Sequence, residues 1–257
     1  MIDPLATPAR IGYAGDWHMN APWAAKAIAH AAGRGAEVVI HLGDYGYTFD
    51  AAFMAAVDAA LAEAGVPLLF VDGNHEDFTR LLASPVGENG LRRLTRWVWH
   101  LPRGFRWTWA GRTYLALGGA HSVDRPWRRP GVSWWREETI STQDAVYAAR
   151  GGPADVLISH DCPAGVPIPG LGPPDPEQDP DGAAAAALWP KDEIARSIAH
   201  RGVLRGVCDA VRPSEIWHGH YHTRYTTTAD LGYGPVLVNG VDRDESTMAG
   251  NVVVVDL

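Results

Sequence analysis

Two cysteines in 257 residues, Cys162 and Cys208, are too few for a disulfide framework, and no CxxC pair is present. Such sparing use fits a reducing compartment. No apolar run approaches the roughly 20 residues needed to cross a bilayer, so no membrane partner is expected. The opening stretch MIDPLATPARIGYAGD has neither a basic n-region nor an apolar h-region, and a cytoplasmic location is expected. An excess of positive charge is also missing: 22 Lys and Arg stand against 30 Asp and Glu, a formal net charge of -8. A protein that grips nucleic acid through its own surface usually carries a basic patch. Here the arginines are scattered. Small groups such as LRRLTR (91–96) and RPWRRP (125–130) serve either as solvated surface or as anion-facing groups. No strong nucleic-acid surface is expected, and the composition is silent on oligomeric state. If so acidic a chain handles anionic substrates, something other than side chains must supply much of the positive charge.

What is present is ordinary globular material. Hydrophobic residues make up 46% and charged residues 20%, enough for a core. The length fits one α/β domain over residues 1–257. Strand and helix signals alternate through the first half. RIGYAG (10–15), EVVIHLGD (37–44) and VPLLFVDGNHE (66–76) are apolar runs ending in polar turns. Between them, PWAAKAIAHAAGRG (22–35) and AAFMAAVDAALAEAG (51–65) are Ala-rich and close on glycine, as helices do. That alternation predicts a largely parallel sheet covered on both sides. The segment 96–138 is aromatic, and its first part alternates around PRG and AGR turns, which predicts antiparallel hairpins. PADVLISHD (153–161) returns to the buried-strand pattern. Seven prolines in 163–182 exclude regular structure and predict an exposed rim loop. Residues 189–211 read as helix, and SEIWHGH, GPVLVNGV and NVVVVDL as late strands. No internal repeat is present, and one domain with two sheets is the economical reading.

The informative feature is which residues end the strands, because ligands of open α/β sheets gather outside the strands' carboxyl ends. The first strand ends in Asp16-Trp17-His18, the second in Gly43-Asp44, and the third in Gly73-Asn74-His75-Glu76. Later ones end in Ser159-His160-Asp161 and in Gly219-His220-Tyr221-His222. Taken singly, each group reads equally well as a helix cap or a hydrogen-bonded histidine. The ordered set D-x-H, GD, GNHE, SH, GHxH does not.

That set resembles the calcineurin-like metallophosphoesterase superfamily, in its small bacterial or phage members, over Asp16 to His222. The resemblance implies a four-layer α/β/β/α sandwich with two mixed β-sheets and two metals at one edge. It implies that Asp16, His18 and His222 hold one metal, that Asn74, His160 and His220 hold the other, and that Asp44 bridges them. His75 would be the general acid, and a metal-bridging hydroxide the nucleophile. Imidazole and carboxylate without thiolate suit Mn, Fe, Zn, Co or Ni. Two divalent ions can clamp an in-line displacement at phosphorus and acidify water toward neutral pH. Asn74 ligates without adding charge, so the pair stays net positive, and that is the positive charge the acidic chain otherwise lacks.

One departure stands out. Many relatives read GDxxD, the second Asp orienting the acidic histidine, whereas GDYGYTFD places Tyr47 there. Asp50, Asp72 and Glu76 are the candidate replacements. The arginine that follows this motif in protein phosphatases is absent, which argues against phosphoprotein substrates. His218, within the strand, reads as structural, and Cys162 as a bystander. A small phosphate ester is the expected partner. Eleven tryptophans, three of them in DRPWRRPGVSWWREE (124–138), either pack the hairpin layer or form a substrate wall, with Asn74, His121, Arg125, Trp134 and Trp135 as the candidate substrate contacts. The second reading favours a nucleotide-like phosphodiester. Phosphomonoesterase and nucleotide pyrophosphatase activities are the alternatives within the same site. A non-catalytic metal-binding protein is the remote one, since structural zinc sites are mostly closed and Cys-rich.

Overall fold

The computed structural model describes residues 2–171 and 188–257. Twelve strands among them form two six-stranded sheets of the same plan. In the first, β1 (Arg10–Ala14), β2 (Val38–His41), β3 (Leu68–Phe70) and β5 (Val98–His100) run parallel. They are flanked by antiparallel edges β4 (Arg92–Arg93) and β12 (Val253–Asp256). In the second, β7 (Arg112–Leu117), β8 (Val156–Ser159), β9 (Glu215–His218) and β11 (Pro235–Gly240) run parallel. Its antiparallel edges are β6 (Arg106–Trp109) and β10 (Tyr225–Asp230).

Side chains alternate across a strand, so most inner strands contribute to two cores. Ile11, Tyr13, Val38, Ile40 and Leu69 of the first sheet meet Tyr114, Ala116, Val156, Ile158 and Trp217 of the second. Tyr13 stacks on Trp217 at 3.8 Å between ring centroids, joining the layers directly. The other face of the first sheet, with Val39, Leu68 and Phe70, packs on α1 (Ala21–Gly33) and α2 (Ala51–Ala64). The other face of the second, with Leu115, Leu117, Leu157 and Ile216, packs on α4 (Thr142–Arg150) and α5 (Lys191–Val211). Short helices α3 (Phe78–Ala83) and α6 (Met248–Asn251) complete the described set. The order is therefore helix, sheet, sheet, helix. Most inner strands are buried on both faces, which is why they read as unbroken apolar runs, while β11 leaves Leu237 exposed.

Caps set the helix starts. Asn20 accepts from the Trp23 amide ahead of Pro22, and Asp50 accepts from the Phe53 amide. Asp50 is thereby committed to α2. The hairpin expectation holds for β6 and β7, which pair antiparallel around Gly111. It fails for β5 and β6, which lie in different sheets. The PRG turn instead carries the chain from one sheet to the other. There Arg103 donates to Asp72, to Asp144 and to the carbonyls of Glu137 and Thr139. Of the Pro-rich stretch, 163–171 is described, with a bridge from Ile168 to Leu171, and 172–182 lies outside the described residues. No helix of the described residues is long and apolar enough to cross a membrane.

The inter-sheet core supplies a stability prediction. Trp109 is fully buried, edge-on to Trp107 and Tyr114, and donates its indole N–H to the Leu5 carbonyl at 2.9 Å. Trp109→Ala is expected to lower unfolding free energy by about 3–5 kcal/mol, and Trp109→Phe by less. Denaturant titration of both variants checks this. Equal small losses would mean that the layer collapses around the cavity.

Candidate metal centre

The carboxyl ends of β1, β2, β3, β8 and β9 open at one edge of the sandwich, where the two sheets meet. The turns there are strained. Ten described non-glycine residues have positive φ, and Asp16, His18, Asp44, His220 and His222 are five of them. Such conformations cost energy and persist where surroundings over-determine them, so their clustering singles this edge out as the candidate site. Two glycines make room. A Cβ on Gly73 would collide with the Asp44 carboxylate, and one on Gly219 with that of Asp16.

The side chains converge. Ligand atoms of Asp16, His18 and His222 lie within 4.8 Å of one another, as do those of Asp16, Asp44 and His160. Asp44 sits between the two halves, its Oδ2 3.6 Å from His18 Nε2 and its Oδ1 3.4 Å from His160 Nε2. His222 Nε2 is 3.5 Å from Asp16 Oδ1. Asn74 Oδ1 is 3.1 Å from His160 Nε2, and the His220 ring is 5.0 Å from that of His160. Most of these separations are long for hydrogen bonds. Donor atoms about 2.0–2.2 Å from a shared ion stand roughly 3–3.5 Å apart, so the spacing suits coordination better than direct contact.

The electrostatics agree. Burial alone would raise the pKa values of Asp16 and Asp44, but the surrounding histidines reverse the sign and lower both. Burial opposes charge on His18 and His160, yet Asp44 and Asp16 outweigh it and raise them to about 9 and about 10. His220 is pulled down to about 3 by burial and by His160, and so presents a neutral imidazole. Two buried carboxylates thus draw positive charge to one point, and the donor set of imidazole, carboxylate and amide oxygen fits borderline divalent cations.

Outer partners fix the inner ones. The Nδ1 of His18 is 2.9 Å from Asp244 Oδ1, whose other oxygen accepts from Asn20. The Nδ1 of His160 lies 2.7 Å from the Leu42 carbonyl, so its Nε2 lone pair faces the centre. The Asn74 amide donates to Ser122 Oγ at 2.9 Å, and Ser122 donates to Glu138 at 2.6 Å. That chain turns Asn74 Oδ1 inward. Asp44 Oδ1 accepts the backbone N–H groups of Asn74 and His75 at 3.0 and 2.9 Å. Such partners set ring orientation and ligand basicity.

His75 Nε2 lies 3.9 Å from Asp44 Oδ2, beside the centre. None of the three expected carboxylates orients it. Asp50 caps α2, Asp72 holds His100 and Arg103, and Glu76 accepts the Tyr45 and Gly73 amides. Two other side chains flank it. Tyr47, 36% exposed, sits with its ring centroid 4.9 Å from that of His75. Arg128 places Nη2 2.6 Å from His75 Nε2. Burial lowers the His75 pKa to about 4, with Asp44 opposing and Arg128 reinforcing the shift.

His121, Arg125, Trp134 and Trp135 make no hydrogen bond or ring contact with this cluster among the described residues. His121 Nε2 is 2.8 Å from Glu193 on α5, and Arg125 pairs with the same carboxylate. Trp134 packs beneath Arg125 at 5.7 Å. Trp135 is buried in the first sheet's helix-side core and donates to Thr79 at 2.9 Å. His218 is buried, its Nε2 2.5 Å from the Tyr225 hydroxyl. Cys162 is buried too, which pushes its thiol up to about 12. Sequence reasoning missed Asp244, Ser122, Glu138 and Arg128. Only the last had a signal, as a member of the RPWRRP group.

The profile of the calcineurin-like phosphoesterase family matches residues 9–224. No curated protein matches the chain in sequence. Among solved structures, a dimetal phosphatase from Danio rerio is similar with a TM-score of 0.55 at 15% identity, over 99% of this chain and 93% of its own. The protein TT1561 of Thermus thermophilus gives a TM-score of 0.53 at 13% identity, over 97% of this chain and 99% of its own. At these identities the likeness is one of fold. The family match is different in kind, since it spans most of the chain and takes in every strand end that reaches the centre. By that match, the chain belongs to the calcineurin-like phosphoesterase family and is a metal-dependent phosphoesterase.

Proposed function

We propose that this centre hydrolyses a small phosphate ester, with a nucleotide-like phosphodiester as the favoured substrate. Asp16, His18 and His222 would hold one divalent transition-metal cation and Asn74, His160 and His220 a second, with Asp44 as the shared ligand. The observation that carries this reading is the placing of Asp44, whose two oxygens face His18 and His160 on opposite sides. When bound, two divalent ions supply Lewis acidity toward phosphoryl oxygens and make water acidic enough to attack.

The chain's own residues do the rest. Asp16 and Asp44 compensate only part of the cationic charge, so the pocket stays attractive to an ester anion. His75 hands a proton to the departing oxygen. Arg128 and a charged His75 would repel each other at their present separation. An anionic oxygen seated between them removes that conflict, so substrate entry itself supports the acid form. Tyr47, exposed at the mouth beside His18 and His75, offers a flat face for a base or an aromatic leaving group. This supports the nucleotide-like reading, which the positions of Trp134 and Trp135 do not. A phosphomonoesterase or nucleotide pyrophosphatase would use the same centre, and the added cation of Arg128 favours that second reading.

Metal-reconstituted protein is expected to turn over bis(p-nitrophenyl) phosphate, to fall to background on chelation, and to recover with one or more of Mn, Fe, Zn, Co or Ni. Cyclic nucleotides, dinucleotides and monoesters, assayed with the same ions, then order the substrate classes. Metal bound at two ions per chain without turnover of any ester would leave a binding protein and remove the reaction.

A further inference from the structure

The arginines near this edge differ in how well they are served. Arg103 is saturated, its nitrogens shared among two carboxylates and the backbone carbonyls of residues 137 to 139. Arg125 is committed to Glu193. Arg128 is not so placed. Its side chain is only 8% exposed, and one carboxylate, Asp124, meets its Nε at 2.7 Å. The Nη1 contacts to the carbonyls of Asn74 and Ser133, at 3.4 and 3.5 Å, exceed ordinary hydrogen-bond length. The remaining nitrogen, Nη2, points at His75 Nε2. A buried guanidinium is a cation that calls for anionic partners. An imidazole nitrogen is a poor one. Asp124 anchors the inner edge of the guanidinium and leaves the outer edge aimed at the mouth of the centre, beside the histidine that faces the leaving group.

We propose that Arg128 is a substrate-binding residue, donating from its Nη edge to an anionic oxygen of the scissile phosphoryl group next to His75. The inference rests on the phosphoesterase reading above and deepens it. A planar fork of N–H donors matches phosphate oxygens in geometry as well as in charge. The contact strengthens with the negative charge on the ester, so Arg128 weights the site toward phosphomonoester dianions relative to diester monoanions. Arg128 contacts no residue of the metal cluster other than through the long approach to the Asn74 carbonyl, so its loss leaves the metal ligands in place.

The test compares wild-type, Arg128→Ala and Arg128→Lys holoenzymes. It measures metal content by elemental analysis, inorganic phosphate binding by calorimetry, and kcat and KM on p-nitrophenyl phosphate and its bis ester. Metal content is expected to stay at the wild-type value in both variants. Phosphate is expected to bind roughly 10–100-fold more weakly to the alanine variant, the loss typical of a hydrogen bond to a charged group. Its kcat/KM should fall further on the monoester than on the diester. Lysine, and guanidinium ion added to the alanine variant, should each restore part of the loss, since charge returns without the tethered fork. Unchanged phosphate affinity in the alanine variant, or a loss that follows lost metal, would overturn the assignment. The two readings separate cleanly. Wild type inert on every ester, with phosphate binding still lost in the alanine variant, sinks the reaction and keeps the anion contact. Wild type active and the alanine variant its equal sinks Arg128 alone.

Discussion

An Asp44→Asn enzyme is expected to retain the fold, to lose metal, and to hydrolyse phosphate esters at least about 100-fold more slowly than wild type. Removing a mere outer partner of a metal ligand already costs about 10–100-fold, and Asp44 is proposed as the ligand common to both ions. The amide is nearly isosteric, and its oxygen can still accept the backbone N–H groups of Asn74 and His75. What it loses is charge. Asp44 is the chief group favouring positive charge on His18 and His160, and without it Asp16 is the only carboxylate left in the proposed ligand set. Asp44→Ala goes further and strands two backbone donors, costing about 1–3 kcal/mol for each left unsatisfied. It should therefore also unfold more easily. Elemental analysis of the asparagine variant separates the effects. Two ions per chain and a near-normal rate would remove Asp44 from the centre.

What could be read from the chain follows a physical line. The strand ends were legible because their chemistry is local. An apolar run buried on both faces stops at a turn, and the residue that stops it lies within two or three positions. D-x-H, GNHE and GHxH therefore announce both the edge of the sheet and what stands there. The alternation of strands and helices was legible for the same reason, whereas the four-layer order came from the family resemblance. The strand β10 was not, because its YTTTAD pattern lies on an edge where one face meets water. The helix α3, six residues long, carries too few turns to show a period. The PRG turn looked like a hairpin turn, and no local feature says that it crosses between sheets. What holds it there is Arg103 against Asp72 and Asp144, 31 and 41 residues away.

The same distinction runs through the site. Asp244 is 226 residues from the His18 it orients, and Glu138 reaches Asn74 only through Ser122. No spacing rule joins such pairs. His121 and Arg125 illustrate the converse. Both lie close in sequence to a strand end, but the buried carboxylate of Glu193 on α5 claims them. Charge partners from another layer redirect side chains that the local pattern sends to the cleft. Arg128, three residues beyond Arg125, has Asp124 four residues before it instead, and that shorter tether keeps its guanidinium at the centre.

His75→Ala should leave the metals bound and reveal a leaving-group dependence. If His75 protonates the departing oxygen, its worth scales with how poorly that oxygen leaves as an anion. A nitrophenolate departs readily, so the variant is expected to keep appreciable activity on nitrophenyl esters. A sugar alkoxide does not, and general-acid help is typically worth about 10²–10⁴-fold, so the loss on a nucleotide diester should lie in that range. The structure sets the conditions of this role. The imidazole lies 3.9 Å from Asp44, close enough to meet an oxygen leaving the centre, with Arg128 on its Nε2. While Arg128 donates to that nitrogen, His75 cannot also donate from it. The acid role therefore requires the ester to part the two, each nitrogen then donating to an oxygen of the same substrate. Rates of the wild-type and alanine enzymes on a series of aryl and alkyl esters test this, the ratio between them rising with the pKa of the leaving alcohol. A ratio that is flat across the series, with metals intact, would mean that His75 and Arg128 together only position the phosphoryl group, and the proton would have to come from solvent.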